Sequence, residues 1–237
     1  MAEKCRIYYC THLTRKNTRE NDNLEQQAQA LFNYYFIENV RELGDYEIGN
    51  LTDIASYLNG LAMQKYRPDS NEIGIPVLKI KELGQGFCDS NSDICSPNIK
   101  SEYVVNDGDF IFSWSGTLMT DIWTGGKCGL NQHLFKVTSQ KYPKWFIYHW
   151  TNHHLNKFIR VAKDKAVTMG HIKRSELESS EVVIPNADKL DSLNKIFVPL
   201  LNEAISMRVE IREMERFRDL ILPKLMSGKL KINDSNS

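Results

Sequence analysis

Between residues 190 and 214 the apolar positions are Leu190, Leu193, Phe197, Leu200, Ala204, Met207, Ile211 and Met214, separated alternately by three and four residues. That spacing belongs to a helix lying lengthwise on another helix. Pro199 lacks a backbone donor and crowds the carbonyl of Lys195, which predicts a kink or a restart there. Pro223 and Gly228 predict the helix end. Leu24, Ala28, Leu31 and Tyr35 repeat at the same period and predict a shorter partner helix over about 24–38.

The pattern between these helices is different. Ile75–Ile80, Glu102–Val105, Phe110–Trp114, Leu134–Val137 and Glu181–Pro185 are short β-type runs divided by Gly, Asn and Asp clusters, and Gly84-Gln85-Gly86 reads as a turn between strands. They predict an α+β fold with a curved, mostly antiparallel sheet. The division expected is an N-terminal segment with part of a helical arm (1–44), a globular domain (45–186), a heptad helix (187–230) and a disordered tail (231–237).

With 41% hydrophobic and 25% charged residues among 237, the composition is that of a globular protein. Thirty basic residues balance thirty acidic ones, so electrostatic function must be local. Residues 141–174 are where it concentrates, with eight basic side chains against one acidic and four of the six histidines. Tyr142, Trp145, Phe146, Tyr148, Trp150 and Phe158 are interleaved with them. Such a mixture suits phosphate contact with base stacking, and equally one helix with a buried aromatic face and a solvated basic one. No run is apolar enough for a membrane span or a signal peptide, and five cysteines without a C-x-x-C pair read as free thiols; a cytoplasmic protein with no membrane partner is expected.

Catalytic signatures are missing. Gly126-Lys127 lacks the upstream glycine of a phosphate loop, and His149-x-x-x-His153 lacks the Glu and the cysteine partners of a zinc pair. Pro68-Asp69 has no acidic-x-Lys following it, and no Asn/Asp-Pro-Pro-aromatic tetrapeptide of an amino-methyltransferase is present. The sequence reads as a binding protein without metal ligands.

Three stretches carry a family resemblance. Gly108-Asp109-Phe110-Ile111-Phe112-Ser113-Trp114-Ser115-Gly116 with Leu130-Asn131-Gln132-His133-Leu134-Phe135-Lys136-Val137 resembles the paired motifs of a target-recognition domain. Leu220–Leu230, reading LILPKLMSGKL, is similar to the end of a conserved helical spacer, and Leu24–Phe36 resembles the helix between two recognition domains, with Tyr35 in place of Trp. Together they resemble the DNA-specificity subunits of type I restriction–modification enzymes. The resemblance implies a non-catalytic half-subunit with one recognition domain. Its partners would be double-stranded DNA, methyltransferase (modification) subunits, through them a restriction subunit, and a second half-subunit or a second copy of the chain. S-adenosylmethionine, ATP and Mg would be bound by partner subunits, with no cofactor in this chain. The alternative is an adaptor that uses its heptad helix and does not read DNA.

Loop placement and side-chain chemistry nominate the DNA contacts, since base edges are read by Arg, Lys, Asn, Gln, Ser and Thr, while phosphates favour lysine. Asn59, Gln64, Lys65 and Arg67 form a first loop, Ser113, Ser115 and Thr117 a second, and Thr168, Met169, His171, Lys173 and Arg174 a third. Lys141, Lys144, Lys157, Lys163 and Lys165 are phosphate candidates. Asn131-Gln132-His133 either contacts bases or ties a turn. Leu193, Phe197, Leu200, Met207, Ile211 and Met214 are the expected partner-helix interface.

Overall fold

The structure is a computed structural model that describes residues 2–164 and 171–227, with side chains for 14–163, 171–224 and 227. Lys165, Thr168, Met169, Gly228 and the tail 231–237 lie outside the described residues.

The first helix, α1 (Ala2–Asn33), starts some twenty residues before the point the periodicity predicts. It widens into a π turn at Tyr34–Glu38 that buries Phe36. The globular part then opens with β1 (Tyr46–Asn50) and closes with β10 (Glu181–Pro185). These pair antiparallel, Tyr46 opposite Pro185 and Asn50 opposite Glu181, so one ribbon ties the start of the domain to its end. The short helix α2 (Leu51–Ile54) follows β1 and leads into β2 (Ser56–Asn59).

The expected antiparallel architecture is present, divided into more than one sheet. The central sheet has the order β2, β9 (Leu134–Thr138), β6 (Phe110–Ser113), β7 (Met119–Ile122). The two sequence motifs of the Gly108 and Leu130 stretches are adjacent strands in it, with Phe112 opposite Phe135. Asp109 and Lys136 close the pairing with an ion pair at 2.7 Å. A second sheet has the order β4 (Ile94–Cys95), β3 (Ile75–Leu78), β8 (Cys128–Leu130), β5 (Val104–Val105), with β3 and β8 parallel. Gly84-Gln85-Gly86 is a helix end and not a strand turn: α3 (Ile80–Gln85) terminates on Gly86 in the left-handed conformation.

Register defines two ends of the central sheet. Asn59 opposite Phe135, and Ser113 opposite Leu134 and Met119, mark the upper end; Ser56 opposite Thr138, and Phe110 opposite Val137 and Ile122, mark the lower. Helix α4 (Lys144–Asp164) runs back along the sheet. Tyr148 meets Phe110 at 5.3 Å, and Phe158 meets Phe112 at 5.9 Å, so the chain climbs from the lower end to the upper. A five-residue helix, α5 (Arg174–Glu178), follows.

The last helix, α6 (Ala187–Met226), is unbroken for 40 residues. Pro199 lies inside it without the expected restart, and the helix ends at Met226, between Pro223 and Gly228 as expected. A proline costs about 3 kcal/mol in a helix interior, less than the burial of Leu193 and Phe197 on the turns before the exposed Pro199 supplies. Leu193 and Phe197 are 2% and 1% exposed. Phe197 stacks on Trp145 at 4.1 Å, and Trp145 Nε1 donates to Asn194 Oδ1 at 2.7 Å. These two seam positions therefore belong to the domain core and do not face a partner helix. Leu200, Met207, Ile211 and Met214 are half-buried. The helix that α6 lies along is α1 of the same chain, antiparallel to it, with Asn17 Nδ2 donating to Glu210 Oε2 at 3.3 Å. Among the described residues no helix is long and apolar enough to cross a membrane.

Candidate nucleic-acid interface

Three segments far apart in sequence meet at the upper end of the central sheet. β2 delivers Asn59 as its last residue, and Gly60 follows against the carbonyls of Leu130 and Asn131, so closely that a Cβ would collide with backbone there. The turn after β6 carries Trp114, Ser115, Gly116 and Thr117; Gly116 has φ 66°, a conformation that glycine adopts without strain. The third segment enters at His171, which bridges to Ser115, while Ile172 N donates to Trp114 O at 3.1 Å.

Trp114 is the centre of this cluster. Its ring stacks on Phe135 at 5.6 Å and lies 6.3 Å from His133 and 6.2 Å from His171. Its Nε1 donates to Asn59 Oδ1 at 3.0 Å. Beside it Ser115 Oγ is 3.0 Å from His133 Nδ1, and Asn131 Oδ1 accepts from His133 N at 3.2 Å, so Asn131 ties the turn that presents Gln132 and His133.

Next to the cluster is a cleft of about 510 Å³ against the second sheet, lined among others by Gln64, Arg67, Lys79, Lys81, Gln132 and His133. Its cations are partly answered. Lys79 bonds Asp93, and Lys81 lies 3.5 Å from Asp89. The Lys79 hydrogen bond and charge hold Asp93 below the usual carboxylate range, against desolvation, with a smaller contribution from Arg67.

The nominated residues thus separate into groups. Asn59, Ser115, Thr117 and His171 gather at the upper end, Gln64 and Arg67 line the cleft, and Lys65 is exposed on the turn beside them. Lys163 is exposed near the upper end of α4, and Lys173 and Arg174 are exposed where α5 begins, Arg174 paired with Glu178 at 3.2 Å.

Ser113 does not face outward. It is 0% exposed and donates to Thr117 O at 2.7 Å, which closes the turn from within. Two phosphate candidates lie at the wrong end of the sheet. Lys141 sits over the Tyr142 ring at 5.0 Å, and Lys144 donates to the carbonyl of Gly108. Burial pulls the Lys144 ammonium below its ordinary pKa, with Asp109 opposing. Lys157 donates to Ser179 O at 3.3 Å. Of the helical histidine pair, His149 is packed: it stacks on Phe32 at 5.2 Å and burial pushes its pKa down to about 4, while His153 is exposed.

Trp114, Lys79 and Lys81 were not among the nominated contacts. Trp114 carried a signal, since it follows four strand residues and directly precedes the polar turn. The lysines carried none, because Lys79 and Lys81 reach the cleft only through the parallel pairing of β3 with β8.

The model of the family described as "Type I restriction modification DNA specificity domain" matches residues 44–210. The type I restriction enzyme MjaIX specificity subunit of Methanocaldococcus jannaschii is 24% identical over 251 residues, covering 96% of this chain and 58% of that one. The EcoBI specificity subunit of Escherichia coli is 24% identical over 193 residues, covering 79% and 40%. The chain spans about half the length of these relatives. The crystal structure of a type I restriction–modification S subunit from M. genitalium has a similar fold, with a TM-score of 0.52 at 11% identity over 94% of this chain and 57% of that one. The family match takes in the whole globular part and α6 as far as Glu210, and the chain belongs to the type I restriction–modification DNA specificity family.

Proposed function

We propose that this chain reads DNA sequence for a type I restriction–modification assembly and has no catalytic part in it. The observation that carries this reading is the convergence of Asn59, the Trp114–Thr117 turn and His171 on one end of a sheet, beside a cleft holding Arg67, Lys79 and Lys81. Loops fixed on a rigid sheet present hydrogen-bonding groups to base edges, and the surrounding cations hold the phosphates. The recognition domain is 45–186, closed by the β1–β10 ribbon, and 187–230 is the arm.

In this reading the arm is a ruler. Forty helical residues extend about 60 Å, enough to separate two reading surfaces by more than one turn of duplex. The second surface is another recognition domain, supplied by a second copy of the chain or by a separate half-subunit. Phe217 and Leu220, 53% and 61% exposed on the distal part of α6, are apolar positions left for such an assembly. The assembly is cytoplasmic. Methyltransferase subunits dock on the arm and bind S-adenosylmethionine, and the restriction subunit they recruit binds ATP and Mg.

The test is to sequence methylated bases in cells that make this chain with its methyltransferase. A defined motif that disappears when the chain is omitted supports the reading. Methylation that does not depend on the chain, with no salt-sensitive duplex binding by the assembly, returns the chain to the adaptor reading.

A further inference from the structure

Trp114 and Asn59 allow the reading surface to be assigned a base chemistry, an inference that rests on the DNA-reading proposal. An indole N–H only donates, so the Asn59 atom 3.0 Å from Trp114 Nε1 is the carbonyl oxygen and the amide is oriented by chemistry. The side chain is exposed, and no described group takes its two N–H donors.

This orientation is held from several sides. Trp114 N donates to His133 O at 3.4 Å, Trp114 O accepts from Ile172 N at 3.1 Å, and the ring is stacked on Phe135. Asn59 is paired in β2 opposite Phe135, and its neighbour Gly60 is pressed against the backbone of Leu130 and Asn131. The tryptophan cannot turn without disturbing the sheet end, and the backbone of the asparagine is fixed beside it, with the indole hydrogen bond setting the direction of the amide.

A free asparagine amide matches adenine, giving an N–H to N7 and taking one from N6. The indole takes one of the two lone pairs of the Asn59 oxygen, while neither N–H has a described partner, so the exposed amide has two donors to offer and one acceptor site. The major-groove edge that offers two neighbouring acceptors is guanine, through O6 and N7; cytosine offers a donor, and adenine sets its N6 donor beside N7. We propose that Asn59 reads a guanine in the major groove and that Trp114 is the positioning residue that, by occupying one lone pair of the Asn59 oxygen, biases that place against adenine.

The experiment sequences methylated bases in cells that make the assembly with wild-type chain, Asn59→Ala, Asn59→Asp or Trp114→Phe, with thermal melts as a folding control. Asn59→Ala lowers the preference for guanine at one motif position by tenfold or more. Asn59→Asp, an acceptor without donors, moves that position from guanine towards cytosine. Trp114→Phe frees the carbonyl oxygen and admits adenine beside guanine at the same position. An unchanged motif in both Asn59 variants, or a change at a position that is not guanine, overturns the proposal. A Trp114→Phe protein that melts like wild type and still rejects adenine overturns the role of the tryptophan. Should Trp114→Phe not fold, the two Asn59 variants decide the base assignment. A wild-type chain that directs no motif at all fails the DNA-reading proposal itself, and the two failures are thereby distinct.

Discussion

Arg208 of α6 meets Asp121 of β7 in a two-bond fork, Nη1 to Oδ1 at 2.9 Å and Nη2 to Oδ2 at 2.8 Å, with the side chains 24% and 23% exposed. One helical turn further on, Arg212 Nη1 donates to Asp107 Oδ1 at 2.7 Å and also reaches the carbonyl of Thr124. Together with the buried Phe197, these contacts attach the arm to the domain from Phe197 to Arg212. Arg208→Ala leaves Asp121 without its fork and is expected to cost about 1–3 kcal/mol in denaturant unfolding. Arg208→Lys recovers only part of this, because an ammonium does not make the two parallel bonds. Stability of Arg208→Ala equal to wild type would show that the fork does not couple the two parts.

The two halves of the heptad seam have different surroundings and predict different phenotypes. Phe197→Ala removes a ring stacked on Trp145 inside the core and is expected to cost about 3–5 kcal/mol, enough to impair folding of the whole domain. Met207→Asp puts a charge on the half-buried face shared with α1, where the pair of helices opens while the domain remains folded. Circular dichroism read together with near-ultraviolet tryptophan signals separates the cases. Loss of the tryptophan environment in Met207→Asp would show that the distal seam supports the core.

How much of this was legible in the sequence depended on range. Phe110–Ser113 and Leu134–Thr138 showed as strands because β-type residues and bounding turns are local, whereas their pairing is a long-range contact that the structure supplies. The seam from Leu190 to Met214 was visible as a period, but a period does not name what covers it; Leu193 and Phe197 are covered by Trp145 and its neighbours, more than forty positions earlier. Residues 14–23 of α1 hold no apolar position, so the period that begins at Leu24 could not be followed back through them. β8, reading Cys-Gly-Leu, has no strand signature and exists because β3 and β5 flank it. Of the contact residues, Asn59 and His171 were reachable from loop placement, whereas the inward turn of Ser113 and the lower-end position of Lys144 are set by strand register and by the direction of α4.

Acid should weaken the fold before the carboxylates titrate. Burial pushes His149 down to about 4 and His154 likewise, so both are neutral when folded, while an unfolded histidine takes up a proton near 6.5. The folded pKa lies below the unfolded one for a basic group. The unfolded state therefore binds more protons between these values, and stability is complete above about 6.5 and falls as pH drops towards 4. His149, 5% exposed, accounts for about 2 kcal/mol between pH 7 and pH 5. His149→Phe, which keeps a ring against Phe32, should make the pH profile of the melting temperature shallower over that interval, leaving the share of His154. An equally steep profile in the variant would assign the acid sensitivity elsewhere.

Salt dependence tests which lysines touch phosphate. On a duplex carrying the methylated motif, each protein cation that neutralises a phosphate contributes a slope of about one in the logarithmic plot of affinity against salt. Lys163, Lys173 and Arg174 are exposed toward the reading end, with Arg174 shared with Glu178, so the triple alanine variant should lose a slope of about two and bind all sequences more weakly. The pair Lys141→Ala and Lys144→Ala removes the same kind of charge from the opposite end of the sheet, where Lys144 is tied to Gly108, and should leave the slope unchanged. Both variants carry the motif preference of wild type, because phosphate contacts hold the register without reading bases. If the Lys141 and Lys144 variant loses slope and the triple variant does not, the duplex lies along the lower end of the sheet and the assignment of the reading surface is wrong.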